Sequence, residues 1–150
     1  MAHLLHGVLP FLSALLVLAG SQALAQQMVS VSAMEVNMRS GPGTAHPADW
    51  RLDRGYPLKV IGSQGSWLKV IDFENDKGWI HRPLTSRTPY HVVKVKVANM
   101  RSAPTTSSRI VSKLVYGDVL KTLKHSGGWV KLQQKGGLSG WVAKRLLWGW

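Results

Sequence analysis

The sequence predicts an all-β protein in which one small antiparallel unit occurs twice. Landmarks recur at a constant offset of 62 residues, as in the Gly-Trp step at Gly78-Trp79 and again at Gly140-Trp141. Asn37-Met38-Arg39-Ser40 returns at Asn99-Met100-Arg101-Ser102 with the same offset. Short apolar/polar alternations, spaced about 8 to 12 residues apart with turns between them, are typical of a small barrel or sandwich. Chain length alone would suggest a single domain, but an internal repeat is stronger evidence about the fold, so we expect two tandem domains.

The first 25 residues are predicted to be a secretory signal peptide. They contain no Lys, Arg, Asp or Glu, and an apolar run from Val8 to Ala19 precedes the Ala-x-Ala cleavage site Ala23-Leu24-Ala25. The run is short for a membrane span, so cleavage is favoured over an uncleaved anchor. We therefore expect a mature chain that begins near Gln26, is periplasmic or secreted, and has no stable transmembrane segment.

Strands are expected in the same order in both units, and no window of a dozen residues in the mature chain shows a sustained helical period. The turns between strands are rich in Gly and Pro, which supply the positive or fixed φ that tight turns require. A polar loop of about a dozen residues is expected to follow the Gly/Pro-rich turn and lead to Leu52, and single helical turns are expected at Pro83-Leu84 and Arg145-Leu146-Leu147. The predicted strands are Met28–Ala33, a stub at Val36, Leu58–Ile61, Trp67–Ile71, Trp79-Ile80 and, opening the second unit, Val92–Val97.

Positive charge is concentrated in the second half of the chain. Residues 26–85, the first module, carry seven Lys or Arg against six Asp or Glu, a net of +1. Residues 86–150, the second module, begin with the linker Ser86–Tyr90 and carry twelve against one, a net of +11. A basic surface favours anionic partners, and the expected export disfavours nucleic acid. Lys94 and Lys96 alternate with valines, as solvated charges on an edge strand do.

The repeated motifs resemble those of bacterial Src-homology-3 (SH3b-like) domains. The resemblance rests on Asn-x-Arg-Ser-x-Pro, Gly-x-Trp-x-Lys and a closing Gly-Trp in both modules, and it covers nearly all of the mature chain. The tail Leu146-Leu147-Trp148-Gly149 is similar to the ending of an exported subgroup with two such domains. The resemblance implies two tandem SH3-like antiparallel β-barrels of five to six strands, acting as cell-wall-targeting or interaction modules.

Tryptophans at repeated positions are the main candidates for ligand contact. Trp67 and Trp129 each begin a strand after a turn, so their faces are expected to remain accessible to an extended ligand. Trp79 and Trp141 are expected to be core residues, because a domain of about sixty residues has few other large side chains to bury. The predicted ligand-binding residues are Arg39, Tyr56, Trp67, Arg101, Tyr116, Trp129, Lys131 and Lys144.

Two roles are open for the arginines of the repeated motif. Arg39 and Arg101 lie beside the proline turns. Each guanidinium could hold a carboxylate of the ligand with two hydrogen bonds, or it could brace the turn by donating to backbone carbonyls. The sequence favours neither role over the other.

No catalytic, metal or cofactor site is predicted. The chain has no cysteine, no Gly-x-Ser-x-Gly elbow and no His-x-x-x-His spacing. The acidic stretch from Asp72 to Gly78 lacks the Gly and the Glu that a calcium loop requires at its sixth and twelfth positions, so we expect a hairpin turn there.

These observations predict a non-enzymatic, exported binding module that engages peptidoglycan or another anionic polymer of the cell envelope. The alternative is a protein–protein interaction adaptor in the periplasm or at the cell surface. A cryptic hydrolase is a third possibility, because residues far apart in the sequence can assemble a site that no motif reveals.

Overall fold

Residues 27–150 are the part of the chain that the computed structural model describes, and they form two antiparallel sheets in succession. The first sheet ends at Ser86 and the second begins at Tyr90. The predicted signal peptide lies outside the described residues, and the division of the chain at residue 85 stays a prediction. Across residues 27–150, no helix has the length and apolar character needed to cross a membrane.

Each sheet contains seven strands, more than the five to six that the resemblance implies, and a 3-10 turn precedes the last of them. The first sheet contains β1 (Met28–Val31), β2 (Glu35–Arg39), β3 (Ala48–Asp53), β4 (Pro57–Gln64), β5 (Trp67–Ile71), β6 (Lys77–His81) and β7 (Thr85–Ser86). The second contains β8 (Tyr90–Val93), β9 (Val97–Arg101), β10 (Ile110–Val115), β11 (Val119–Ser126), β12 (Trp129–Gln133), β13 (Ser139–Ala143) and β14 (Leu147–Gly149). The 3-10 turns at Arg82–Leu84 and Lys144–Leu146 lie where the sequence predicts a single helical turn.

The order of the strands is the same in both sheets. It is β3-β2-β6-β5-β4-β1-β7 in the first sheet and β10-β9-β13-β12-β11-β8-β14 in the second, so adding seven to each label converts one into the other. Every pairing is antiparallel. The repeat in the sequence is therefore a repeat of topology. The strand pairing leaves β3 and β7 at the ends of the first sheet and does not by itself show a closed barrel.

Strand β3 lies inside the segment that the sequence predicts as a polar loop, and that prediction is wrong. It pairs with β2 from Glu35↔Asp53 to Arg39↔Ala48. Only Leu52 of its six residues is buried, because an edge strand leaves most of its side chains in solvent. The segment therefore lacks the apolar alternation from which a strand is recognised.

Alternating side chains build one apolar core for each sheet. Fully burying an aliphatic side chain contributes about 1.5–3 kcal/mol, so these clusters supply most of the stabilisation of each module. The first core contains Val29, Val31, Val36, Met38, Leu52, Leu58, Leu68, Val70 and Ile80. The second contains Val93, Ala98, Met100, Leu114, Leu120, Val130, Leu132, Val142 and Leu147.

The glycine of each Gly-Trp step leaves room for a methionine in the core. A Cβ atom on Gly78 would lie 2.5 Å from Cγ of Met38, and one on Gly140 would lie 2.7 Å from Cγ of Met100. Both methionine side chains are fully buried. Any larger residue at either glycine would displace its methionine, which explains why the step needs glycine at this place.

The tryptophan of each Gly-Trp step faces away from the core. Successive side chains of a strand point to opposite faces, so a buried glycine places the next residue on the outer face. Trp79 and Trp141 are half-buried and belong to neither core cluster. The prediction that they are core residues is wrong.

Candidate functional site

A groove lies at the same place on each sheet, beside the tryptophan that opens β5 or β12. The first groove has a volume of about 460 Å³ and the second of about 490 Å³. The first is lined by Glu35, Val36, Asn37, Arg39, Gly43, Thr44, Trp67, His81 and Leu84. The second is lined by Thr106, Gly128, Trp129, Ala143, Lys144 and Arg145. The 62-residue offset relates Thr44 to Thr106, Trp67 to Trp129 and His81 to Ala143, so the two grooves occupy equivalent places on their sheets and share these three wall positions, while their other lining residues do not correspond.

A tight turn presents each of the two tryptophans. Gly65 and Gly127 both have φ of +57°, in the left-handed region that glycine enters without steric cost. Each turn ends at a tryptophan two residues later, Trp67 or Trp129, at the first position of its strand. Both tryptophans are half-buried. The turn therefore leaves part of each indole on the wall of its groove, as the sequence predicts.

In the first groove the tryptophan lies against a histidine. Trp67 and His81 are register partners in the β5–β6 hairpin, and their ring centroids are 5.0 Å apart with planes tilted by 39°. Such a contact between rings favours a defined orientation of the indole. His81 is absent from the sequence predictions, although the hairpin register would have identified it as the residue opposite Trp67.

In the second groove the same position is occupied by an alanine. Ala143 is the register partner of Trp129 in the β12–β13 hairpin, so no imidazole lies opposite that indole. Lys144 and Arg145 follow in the 3-10 turn, and both are exposed. The structure therefore places the predicted residues Trp129 and Lys144 in one groove, and it adds Arg145, which the sequence predictions omit.

Both arginines of the repeated motif brace the loop between the second and third strands of their sheet. Nη1 of Arg39 donates to the carbonyl oxygen of His46 at 2.8 Å and, at 3.4 Å, to that of Thr44. Nη1 of Arg101 donates to the carbonyl oxygen of Ser108 at 2.9 Å. Of the two roles open to these residues, the structure shows the bracing one. Arg39 also lines the first groove, whereas Arg101 is not among the residues that line the second.

The two predicted tyrosines lie at the junction of the modules and line neither groove. The ring of Phe73 lies between them, with centroids 6.3 Å from Tyr56 and 5.3 Å from Tyr116. At the same junction Gly55 packs on the ring of Tyr90, where an added Cβ would come within 2.6 Å. These contacts indicate that the tyrosines join the modules to each other.

Carboxylates surround the hydroxyl of Tyr56 at this junction. Burial raises the pKa of Tyr56 well above its usual value, and the charges of Asp72 and Glu74 raise it further. Oδ1 of Asp72 accepts hydrogen bonds at 2.9 Å from the backbone N–H groups of Glu74 and of Asp76. Burial raises the pKa of Asp72 too, and the two backbone hydrogen bonds oppose that rise. The acidic stretch is thus a hairpin turn closed by Asp72, as the sequence predicts.

The last predicted ligand residue, Lys131, lies on the outer face of β12. It is half-buried and is the register partner of Trp141 on β13 and of Lys124 on β11. It is not among the residues that line the second groove. Of the eight predicted residues, the grooves therefore contain four: Arg39, Trp67, Trp129 and Lys144.

Comparison with known families identifies the repeated unit. Two family profiles, each described as a bacterial SH3 domain, match residues 32–87 and residues 96–147. The chain belongs to the bacterial SH3 domain family and carries two such domains in tandem. Each matched range lies on one of the two sheets and begins after the first strand of that sheet.

The chain is also similar to parts of longer proteins. A putative N-acetylmuramoyl-L-alanine amidase of Bacillus subtilis (strain 168), YrvJ, is 24% identical over 144 residues, which cover 89% of this chain and 28% of the relative. A probable cell wall amidase of Staphylococcus aureus, LytH, is 41% identical over 44 residues, which cover 29% of this chain and 15% of the relative. The chain spans less than a third of the length of either relative.

Among solved structures, one match is to an NlpC/P60 family protein from Bacillus cereus ATCC 10987. It has a TM-score of 0.39 and 12% identity, and the match covers 83% of this chain and 56% of that chain.

Proposed function

We propose that this protein is a non-catalytic binding module of the bacterial cell envelope, periplasmic or secreted, that holds wall material in its two grooves. The ligand is peptidoglycan or another anionic envelope polymer. The observation that carries the proposal is the recurrence of an aromatic groove at equivalent positions, with Trp67 in one module and Trp129 in the other. The similarity to amidases, one of them described as a probable cell wall amidase, supports the choice of ligand.

The grooves suit a polymer that presents flat faces and polar edges. An indole offers a large apolar surface for a sugar ring or a peptide plane, and it loses little conformational entropy because it has two side-chain torsions. In this proposal each sheet curls around its core into a small SH3-like barrel, which keeps the loop, the tryptophan and the 3-10 turn at fixed distances. The arginine braces hold one wall of the groove before the ligand arrives.

The contents of the grooves support a binding role without catalysis. Nucleophilic catalysis needs a nucleophile and a base within hydrogen-bonding reach of each other. In the first groove the imidazole of His81 lies against the Trp67 ring. The lining of the second groove contains no His, Asp or Glu. Release of soluble wall fragments by the purified protein would contradict this part of the proposal.

Retention on purified peptidoglycan sacculi tests the proposal. The double variant Trp67→Ala/Trp129→Ala should bind at least about tenfold more weakly than wild type, because aromatic residues at the centre of an interface each contribute about 2 kcal/mol or more. Trp50→Ala is the matched control, since Trp50 is 51% exposed on β3 and lines neither groove. It should bind within about twofold of wild type.

Two results of this assay would overturn the proposal. One is a failure of wild type to sediment with sacculi, and the other is an equal loss of binding in the Trp50→Ala control. Circular dichroism and thermal unfolding of each variant separate a loss of binding from a loss of fold.

A protein–protein adaptor is the second candidate function. A groove with an aromatic wall is how the related eukaryotic domains hold extended, proline-type peptides, and the shape of the first groove is compatible with such a ligand. Crosslinking in cells followed by mass spectrometry distinguishes the two candidates. One dominant protein partner, together with no retention on sacculi, would favour the adaptor.

A further inference from the structure

The two equivalent grooves differ in charge. In the second groove the 3-10 turn contributes the exposed cations Lys144 and Arg145. The residues at the same positions of the first module are Arg82 and Pro83. Nη2 of Arg82 donates to the carbonyl oxygen of Gly65 at 3.4 Å, and Pro83 carries no charge. The first groove therefore has no counterpart of this pair of cations among its lining residues.

The residue at the position of Glu35 makes the charges of the two modules differ further. The first groove contains the carboxylate of Glu35, which forms an exposed ion pair with Arg51 at 3.1 Å, and its own arginine, Arg39, is bonded to the loop carbonyls. The position equivalent to Glu35 in the second module is Val97. The one acid of the second module, Asp118, accepts a hydrogen bond from the backbone N–H of Val115 at 2.8 Å in the β10–β11 turn. Among the residues that the structure describes, neither Lys144 nor Arg145 forms an ion pair with a carboxylate.

The polar groups of the second groove are also mostly donors. An ammonium, a guanidinium and an indole N–H have no acceptor capacity, and only the hydroxyl of Thr106 adds one. The first groove adds an acceptor, the Glu35 carboxylate, whereas its Asn37 amide has an identical counterpart, Asn99, in the second module. A donor-rich cationic surface is complementary to phosphate or carboxylate, whereas a mixed one is complementary to hydroxyls and amides.

We propose that the second groove selects an anionic group of the bound polymer, a phosphate or a carboxylate, through Lys144 and Arg145, while the first groove takes an uncharged segment of the same polymer. The inference rests on the proposed function and deepens it. In this inference two particular cations of the second module, whose net charge is +11, bind the anionic group, and a diffuse attraction over the whole surface is not what holds it.

A matched pair of charge variants separates the local site from diffuse attraction. Lys144→Gln/Arg145→Gln and Lys94→Gln/Lys96→Gln each remove two positive charges from exposed residues of the second module, but only the first pair lines the groove. Two soluble anionic probes are titrated against the mature chain, a glycerol-phosphate oligomer and a disaccharide–peptide from peptidoglycan. The ¹⁵N indole signals of Trp129 and Trp67, assigned with single Trp→Phe variants, report which groove is occupied.

The groove pair should weaken binding of at least one anionic probe about tenfold or more at physiological salt. The Lys94/Lys96 pair should weaken it less than about threefold, because these lysines do not line the groove and exposed charges without direct contact to the bound group are screened by solvent. The Trp129 signal should shift with that probe before the Trp67 signal does. The probe that binds identifies the source of the anion, phosphate polymer or stem-peptide carboxylate.

Three results overturn the inference while leaving the proposed function intact, provided that wild type still sediments with sacculi. They are equal weakening by both charge pairs, unchanged binding by the groove pair, and occupation of the first groove before the second by an anionic probe. If wild type fails to sediment with sacculi, the proposed function itself fails, and the two failures are thereby distinguished.

Discussion

The first and second modules keep the same interior and present different exteriors. Both cores place a methionine against the glycine of the Gly-Trp step, and both sheets have the same strand order. On the outer face of the second and third strands, the first module pairs Glu35 with Asp53, and the second pairs Val97 with Val115. Packing restricts what a core position accepts, whereas a surface position accepts most residues. The two modules can therefore differ on their surfaces, where ligands bind, without any change of fold.

The modules differ in their buried titratable groups. In the second module His91 is buried; its Nε2–H donates to the carbonyl oxygen of Trp150 at 2.7 Å, and its Nδ1 accepts from the hydroxyl of Thr122 at 2.6 Å. Burial lowers the pKa of His91 to about 4, with a smaller contribution from His125. The equivalent residue of the first module is Val29, which cannot titrate.

Acid should therefore destabilise the second module more than the first, and this is the largest effect that we expect. Between pH 6.5, near the ordinary pKa of a histidine, and pH 4, near the pKa of His91 in the folded state, the unfolded state binds more protons than the folded state does. The free energy of unfolding of the second module therefore decreases by about 3 kcal/mol as the pH is lowered through this range. In the first module burial raises the pKa of Asp72, so the folded state holds that proton more tightly than the unfolded state does. Its contribution to stability therefore rises as the pH falls toward the ordinary pKa of an aspartate, about 3.8.

Hydrogen exchange of each module at pH 7 and pH 4.5, corrected for the intrinsic exchange rate, measures this difference. His91→Gln should reduce the pH dependence of the second module. His125→Gln should preserve it, because His125 is exposed at the edge of the same contact. Parallel loss of protection in both modules, or an unchanged slope in His91→Gln, would contradict the assignment.

Local pattern predicted the fold well, because strands and turns are encoded by neighbouring residues. The 62-residue repeat identified the duplicated topology, and alternation located most of the strands that face a core. The prediction of one strand from Val92 to Val97 is wrong, because β8 ends at Val93 and β9 begins at Val97, with Lys94 and Lys96 exposed in the turn between them. The errors have physical causes. Strand β3 was missed because Leu52 is its one inward residue, and Trp79 was assigned to the core from its size, although the buried neighbours Gly78 and Ile80 fix it on the outer face.

The candidate site was predicted in part, for the same reason. Trp67 and Trp129 follow a glycine turn, which is a local signal, and the structure places both in grooves. Tyr56 and Tyr116 meet through Phe73 across the junction of the modules. That meeting depends on how two separately encoded units pack together, and no periodicity or spacing within one module indicates it.

The glycines behind the two methionines offer a second way to compare the modules. An added Cβ at Gly140 would meet the backbone oxygen of Arg101 at 2.8 Å and Cγ2 of Val111 at 2.9 Å, besides the methionine. At Gly78 the nearest backbone atom, the oxygen of Arg39, is 3.1 Å away, and the closest contact is a flexible methionine. The second module therefore has less room to adjust.

Gly140→Ala should destabilise the second module by roughly 2–3 kcal/mol, and Gly78→Ala the first by roughly 1 kcal/mol, within the range for overpacked cores. Urea denaturation followed by hydrogen exchange in each module measures both. Gly128→Ala is the control, because an added Cβ there has no atom within 4 Å. If the two substitutions lower the free energy of unfolding by equal amounts, the contact with the methionine, and not the contact with the rigid backbone, determines the destabilisation.

The arginine braces give the smallest predicted difference. The loop after β2 depends on Arg39, whose guanidinium reaches the carbonyl oxygen of His46. The loop after β9 has Arg101 on the carbonyl oxygen of Ser108, and the Ser108 hydroxyl also donates to the carbonyl oxygen of Ala103 at 2.9 Å. The second loop thus has a second tie at the same residue, so the loss of its arginine should be partly compensated.

Arg39→Gln should raise hydrogen exchange in residues 40–47 by the equivalent of about 1 kcal/mol, and Arg101→Gln should raise it in residues 102–109 by about half as much, since an exposed charged hydrogen bond has a modest net value. Adding Ser108→Ala to Arg101→Gln should remove the difference between the loops. If Arg101→Gln alone matches Arg39→Gln, the serine contributes nothing to the loop. Because Arg39 also lines the first groove, Arg39→Gln should weaken binding of an uncharged ligand there as well.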